Sequence, residues 1–220
     1  MGRVQTSGKQ QTATGGTAVT FNAGADFTVG NWVVACWETT PYKDSVTSGA
    51  GTTVEHAIAT PFGAQLLGIT SFKVTTPGHR DLTFNFPSGT TNGVTCSFEE
   101  WDNFDPTTPL DSVPAEVAGL AITSATLAQA NEVVYAVAMP NGVGGSAPGG
   151  PAGFTQTWQE GSGSFVNGAA GYLEVSATTP VTATFTNVGS CLMATFKTSG
   201  GGGGGSTAGK ALRQLLGAGL

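Results

Sequence analysis

The sequence has few charged residues. Asp, Glu, Lys and Arg make up 10% of its 220 residues, whereas an ordinary domain has roughly 25%. Lys and Arg number eight against fourteen acidic residues and form no cluster, so the chain lacks the basic surface that nucleic-acid binding requires. No apolar run approaches the roughly 20 residues that cross a bilayer, and residues 1–16 lack the apolar core of a signal peptide. We therefore expect synthesis in the cytoplasm and neither nucleic acid nor a membrane as a partner.

Cysteine and histidine are also scarce. The odd number of cysteines, Cys36, Cys96 and Cys191, cannot form a closed disulfide framework, and all three lie in strand-like runs that predict small buried side chains. A bridge between Cys96 and Cys191 stays open as an alternative. His56 and His79 lie far apart in the sequence, and no nucleophile elbow or phosphate-binding glycine loop is present. The sequence therefore predicts no enzyme, no catalytic residue, no cofactor and no metal site.

Short runs rich in Val, Thr and Phe fill the chain between turns of Gly, Pro and Asn. Such runs are typical of β-strands, and about a dozen at this spacing predict an all-β, two-sheet antiparallel sandwich that is jelly-roll-like. The predicted strands are residues 17–21, 32–39, 54–58, 65–74, 82–86, 94–101, 120–126, 132–139, 154–159, 171–175, 181–186 and 191–197.

The strand-like runs repeat along the chain. Residues 31–36 match residues 131–136 at an offset of 100, and the hairpins that end each half also correspond. The matching hairpin segments are 82–86 with 181–185 and 96–98 with 194–196. The repeat predicts two related sets of strands that interleave around one core.

Composition divides the chain into four parts. The predicted parts are an N-terminal arm (1–16), the β-sandwich domain (17–198), a glycine linker (199–205) and a C-terminal anchor peptide (206–220). An uninterrupted glycine run contributes no side chain to a core and is typical of a flexible tether.

The C-terminal anchor peptide has the pattern of a short amphipathic helix. Leu212, Leu215 and Leu216 form an apolar stripe, and Arg213 lies opposite. A helix of this length is marginal in water, so we predict that it docks on a partner protein through these residues.

Acidic residues cluster around one tryptophan. Glu99, Glu100, Asp102 and Asp105 surround Trp101, and carboxylates beside an aromatic ring could bind calcium or act on a glycoside. Strand alternation places Glu99 and Glu100 on opposite faces, and a proline-containing loop follows, so we predict a solvated strand edge. Trp101, Glu99 and Asp102 remain the candidate ligand face.

The other tryptophans could form a sugar-stacking platform or an interface. Trp32 and Trp37 have opposite parity on one predicted strand, so at most one of them is expected to face the core of a two-sheet sandwich. The glycine-rich stretch 141–153 has no lysine and no following helix, which favours a long flexible loop or an interface loop over a phosphate site.

Several short motifs together resemble a known group of proteins. They are GNWVV at 30–34, EEW at 99–101, PLD at 109–111, ANEVV at 130–134 and CLMATFK at 191–197, before a glycine tail. The chain resembles, over residues 17–198, β-sandwich domains of tailed-phage virion structural proteins of the head decoration, fibre or minor tail type. The resemblance implies a non-enzymatic virion component displayed on head or tail, without distinguishing a capsid decoration protein from a tail or fibre subunit. Among these we predict a capsid decoration or head-fibre subunit on the virion surface. The implied partners are the major capsid or another virion scaffold protein and further copies of the chain.

Other functions remain open from the residues. A carbohydrate-binding or receptor-binding module of a tail or fibre would use the tryptophans and acidic loops against a host-surface glycan, and a glycosidase would use the acidic cluster. The anchor could also be residues 1–11, where Arg3 and Lys9 stand without acidic neighbours.

Overall fold

The described part of the chain is all-β, as predicted. A computed structural model describes residues 2–40, 42–59, 65–87, 91–140, 148–161 and 167–199. Within them the chain forms sixteen strands and no helix. The glycine run from residue 200 and the predicted C-terminal anchor peptide, with Leu212, Arg213, Leu215 and Leu216, lie outside the described residues.

The strands are short and antiparallel throughout. In chain order they are β1 (Arg3–Thr6), β2 (Gln10–Gly15), β3 (Ala18–Asn22), β4 (Trp32–Thr40), β5 (Ser45–Thr47), β6 (Val54–Ala59), β7 (Leu66–Lys73), β8 (Asp81–Asn85), β9 (Thr91–Trp101), β10 (Leu110–Ser112), β11 (Ala121–Thr123), β12 (Glu132–Met139), β13 (Thr155–Gln159), β14 (Ala169–Val175), β15 (Thr182–Thr184) and β16 (Ser190–Lys197).

Two large inner sheets face each other, and a small outer sheet covers the far face of each. The first inner sheet has the order β1-β9-β4-β7-β6, with β2 also paired to β9, and the second has the order β10-β16-β12-β14-β13. The outer sheets are β3-β8-β5 and β11-β15. The sandwich therefore has four layers of sheet with three cores between them.

Both faces of each inner sheet are buried, which the sequence of β4 explains. Val33, Ala35 and Trp37 point into the first core, toward the outer sheet. Val34 and Cys36 point into the middle core, which both inner sheets share. An unbroken apolar run is expected of a strand covered on both faces, because successive side chains alternate between them.

The predicted repeat is present in the topology, but its two sets of strands enclose three cores and not the single core predicted. Each inner sheet places its strands in the same order, with β9, β4, β7 and β6 matched by β16, β12, β14 and β13. The alignment at an offset of 100 is out of phase, however, because Val33 lies in the first core and Val133 in the shared core. Side chains alternate between the two faces of a strand, so an offset of 100 aligns corresponding strands but matches residues that point to different cores.

The predicted N-terminal arm belongs to the sandwich. β1 and β2 pair in sequence along one edge of β9, from Arg3 opposite Trp101 to Gly15 opposite Thr91. We call residues 3–15 the edge segment. None of its described side chains enters a core, so the sequence shows no apolar alternation there and the strands were missed.

Both ends of the described chain meet at one end of the molecule. The Asp102 amide donates to the Gly2 carbonyl (3.1 Å), and the Ser199 amide donates to the Asn103 carbonyl (2.7 Å). We call this end, formed by residues 102–105 and 198–199, the linker pole. The opposite end, where β4 finishes at Thr40, is the far pole.

Candidate functional site

The acidic cluster of β9 is the candidate site, and the structure buries most of it. The exposed fractions of Glu99, Glu100 and Trp101 are 0%, 1% and 0%, whereas Asp102 is exposed. The predicted solvated edge is therefore wrong for the two glutamates, because both faces of the inner sheet are covered. For the same reason Trp101 and Glu99 do not line an open ligand face.

Glu99 points into the space between the two inner sheets. Thr6 of β1 donates its hydroxyl to Glu99 Oε1 (3.4 Å), and the Tyr135 hydroxyl of the opposite sheet also bonds the carboxyl group. Trp101 Nε1 donates to the Tyr135 hydroxyl (2.7 Å). Burial raises the pKa of Glu99 to about 7, although Tyr135 and the charge of Arg3 oppose that rise.

Glu100 points to the opposite face of β9 and accepts three hydrogen bonds. Its Oε1 accepts from the Thr28 amide (2.8 Å) and from Asn31 Nδ2 (2.7 Å). Its Oε2 accepts from Gln5 Nε2 (2.6 Å). Glu100 therefore holds both the turn before β4 and strand β1.

Two further contacts join the edge segment to the second half of the molecule. The Arg3 guanidinium lies 5.3 Å from the centre of the Tyr172 ring. Lys9 Nζ lies 2.6 Å from Glu160 Oε2. The candidate site is therefore a binding surface for a strand: two buried glutamates of β9 receive Gln5 and Thr6, and flanking residues of the second half receive Arg3 and Lys9.

The tryptophans are structural in this arrangement. Trp37, Trp101 and Trp158 are buried, and Trp32 is half-buried against the shared core. Trp37 Nε1 donates to Thr70 Oγ1 (2.8 Å), and Trp158 Nε1 donates to the Cys36 carbonyl (3.3 Å). The prediction that at most one of Trp32 and Trp37 faces a core is wrong, since each face of the first inner sheet has its own core.

Two other buried glutamates, Glu132 and Glu38, lie at opposite poles. Burial raises the pKa of Glu132 to about 7; the Gln129 amide opposes that rise and the nearby Asp111 reinforces it. Burial also raises the pKa of Glu38, whose Oε1 accepts from the Asn167 amide (3.2 Å). Sequence reasoning missed both residues; the unbroken apolar runs around them were the available indication of burial on two faces.

The cysteines and histidines take structural positions. Cys96, Cys36 and Cys191 are free and buried, one in each of the three cores, so no bridge joins Cys96 to Cys191. His56 Nε2 lies 2.6 Å from Ser71 Oγ, and burial lowers the pKa of His56. His79 Nδ1 lies 3.2 Å from Asp81 Oδ1.

The described residues contain no candidate metal site, and no family model, curated protein or solved structure matches the chain. Among the described residues, no group of three or more His, Cys, Asp or Glu side chains is placed to hold a metal ion. The same residues include no helix of the length and hydrophobicity needed to span a membrane.

Proposed function

We propose that this chain is a non-enzymatic structural protein displayed on a tailed-phage particle, as a capsid decoration or head-fibre subunit. The observation that supports this role is the linker pole. Gly2 and Ser199 both lie there, beside Asp102 and Asn103, and the glycine run follows directly in the sequence. A protein held from this pole presents its far pole outward.

The C-terminal anchor peptide is the proposed attachment to the major capsid or another scaffold protein. Its stripe of Leu212, Leu215 and Leu216 suits a hydrophobic groove, with Arg213 left for an acidic rim. The alternative anchor is residues 1–11, of which residues 3–6 and 10–11 belong to strands paired with β9 within the chain. We do not extend the proposal to glycan binding, since the rings and carboxylates that suggested it are largely buried.

Particle incorporation tests this proposal. Replacing Leu212, Leu215 and Leu216 by Ser is expected to leave the sandwich folded, by circular dichroism, and to remove the protein from purified particles. The matched control is Leu120→Ser, which changes an exposed leucine of the sandwich (55% exposed) and should be incorporated normally. Incorporation of the triple variant at the wild-type level contradicts the anchor, and absence of the wild-type chain from purified particles contradicts the virion role.

A further inference from the structure

The edge segment is attached differently from the other strands. No described side chain of residues 3–15 belongs to any of the three cores. In the second half, the strand at the matching edge, β10, packs Leu110 against the shared core. The edge segment is held by its ladder to β9 and by the contacts of Arg3, Gln5, Thr6 and Lys9. Because its described side chains are not part of any core, releasing the segment removes none of them from an apolar core.

The surface beneath the edge segment is specific for this sequence. Gln5 meets Glu100 on one face of β9, and Thr6 meets Glu99 on the other. The neighbouring donors of the segment therefore match neighbouring acceptors of β9 on both faces. A free β9 would be a long exposed edge, which readily pairs with another strand, and the strand that fits it best is another copy of the edge segment.

The connection to the rest of the chain can act as a hinge. β2 ends at Gly15 in an inner sheet, and β3 begins at Ala18 in an outer sheet. Gly16 between them has φ 156°, a backbone conformation that L side chains rarely adopt. A glycine pair has access to backbone conformations closed to other residues, and short hinge loops favour strand exchange between copies.

We propose that the edge segment exchanges between copies of this chain, so that residues 3–15 of one copy pair with β9 of a second copy. The exchanged segment makes the same ladder and the same contacts to Glu99 and Glu100 as in the single chain. Exchange therefore links copies without any new interface chemistry. This inference does not depend on the virion role.

A single substitution in the full chain distinguishes the two arrangements. Gln10 lies directly opposite Cys96 in the ladder, and directly paired positions suit a disulfide. In Gln10→Cys, an unexchanged segment gives a 10–96 disulfide within one chain, and an exchanged segment gives a disulfide-linked dimer. The expected result, after incubation, oxidation and peptide mapping, is a 10–96 linked dimer whose fraction rises several-fold with a tenfold rise in concentration.

The control is Gln11→Cys, which pairs with Thr95 and has no cysteine opposite, so its dimers measure chance contact of surface thiols. Linkage of residues 10 and 96 only within single chains, at every concentration, overturns the proposal. If Gln10→Cys forms no disulfide between residues 10 and 96, light scattering of the wild-type chain shows whether the chain dimerises. A strict monomer overturns exchange, as does a dimer whose fraction is unchanged when three glycines are inserted after Gly16. Loss of the dimer on that insertion supports exchange, because a longer hinge favours pairing of the segment with β9 of its own chain.

Discussion

In the first half of the molecule the edge of β9 is covered by residues 3–15, whereas in the second half the matching edge of β16 is covered by the three-residue strand β10 and by a single bridge at Val117. The strand order of the two inner sheets is otherwise the same. Leu110 of β10 packs on the shared core, but the edge segment relies on polar side chains. The comparison shows that a repeated fold can keep its interior and differ at its edges.

The shared core is what joins the two halves. Trp101 stacks on Phe104 and Phe104 stacks on Phe196, with ring centres 5.4 and 5.5 Å apart. Trp101 also donates to Tyr135 across the two inner sheets. Because these rings come from both halves, we expect the halves to unfold together.

The largest effect is expected from Phe196→Ala. Removing this buried ring of the shared core should cost about 3–5 kcal/mol and weaken the coupling between halves, so that denaturant unfolding separates into two steps. Phe185→Ala is the matched control, because Phe185 is buried in the third core only. A single transition for Phe196→Ala, with the wild-type denaturant dependence, would contradict the coupling role.

A pH-dependent effect of about 3 kcal/mol is expected from Glu99. Its pKa is about 7 in the folded chain against an ordinary 4.5, so the folded state binds more protons between these values. The stabilisation is complete below pH 4.5 and is lost as pH rises through 7. Glu99→Gln should remove this part of the decline, measured by urea unfolding from pH 4 to 8.

Glu132 provides the comparison in the second half, because its pKa is also raised to about 7. Glu132→Gln should remove a separate part of the same decline, and the double variant should have the flattest profile. A Glu99→Gln chain that keeps the full wild-type decline would show that Glu99 is ionised in the folded state.

A smaller cost, about 1–3 kcal/mol, is expected for Gly68→Ala. A Cβ on Gly68 would lie 2.1 Å from Trp37 Cζ2, whereas at Gly171, on the matching strand β14, it would lie 2.9 Å from the Thr155 carbonyl. Gly68→Ala should therefore destabilise the chain more than Gly171→Ala in thermal unfolding. Its cost should fall when Trp37 is changed to Phe, and an unchanged cost would exclude the indole as the cause.

The smallest effect, less than about 1 kcal/mol, is expected for Lys9→Ala. Lys9 and Glu160 form an ion pair on the surface, with 44% of the Lys9 side chain exposed. The difference from wild type should vanish in 0.5 M salt, since salt screens exposed charges. A larger loss that persists in salt would mean that this pair, and not the ladder to β9, holds the edge segment.

The strands with apolar side chains could be predicted closely from the sequence. The bounds predicted for β12, 132–139, coincide with Glu132–Met139. Those predicted for β16 differ by one residue at one end, and those predicted for β8 are shifted by one residue at both ends. These strands contribute side chains to the cores, so burial imposes a pattern on their sequences. The described side chains of the edge segment contribute to none of the cores, and its Gln, Thr and Gly residues resemble a loop.

The candidate site was harder to predict because its two glutamates are buried, whereas clustered acidic side chains are usually exposed to solvent. Two adjacent acidic residues are typical of a solvated strand edge. Glu99 and Glu100 are interior residues because a further sheet covers each face of the sheet that contains β9. The unbroken apolar run of β4, their neighbour, indicated burial on both faces. Which strands lie opposite them depends on contacts between distant parts of the chain, such as Thr6 with Glu99, that no local pattern encodes.

The linker pole also determines how the molecule bears mechanical load. A pull on Ser199 acts along β16, which is paired to β10 on one side and β12 on the other, so two ladders must shear at once. A pull on Gly2 is opposed by the single ladder between β1 and β9. We therefore expect the chain to resist a larger force applied at Ser199 than at Gly2. In a protein tethered through the glycine run, this force acts on β16 and its two partner strands, β10 and β12.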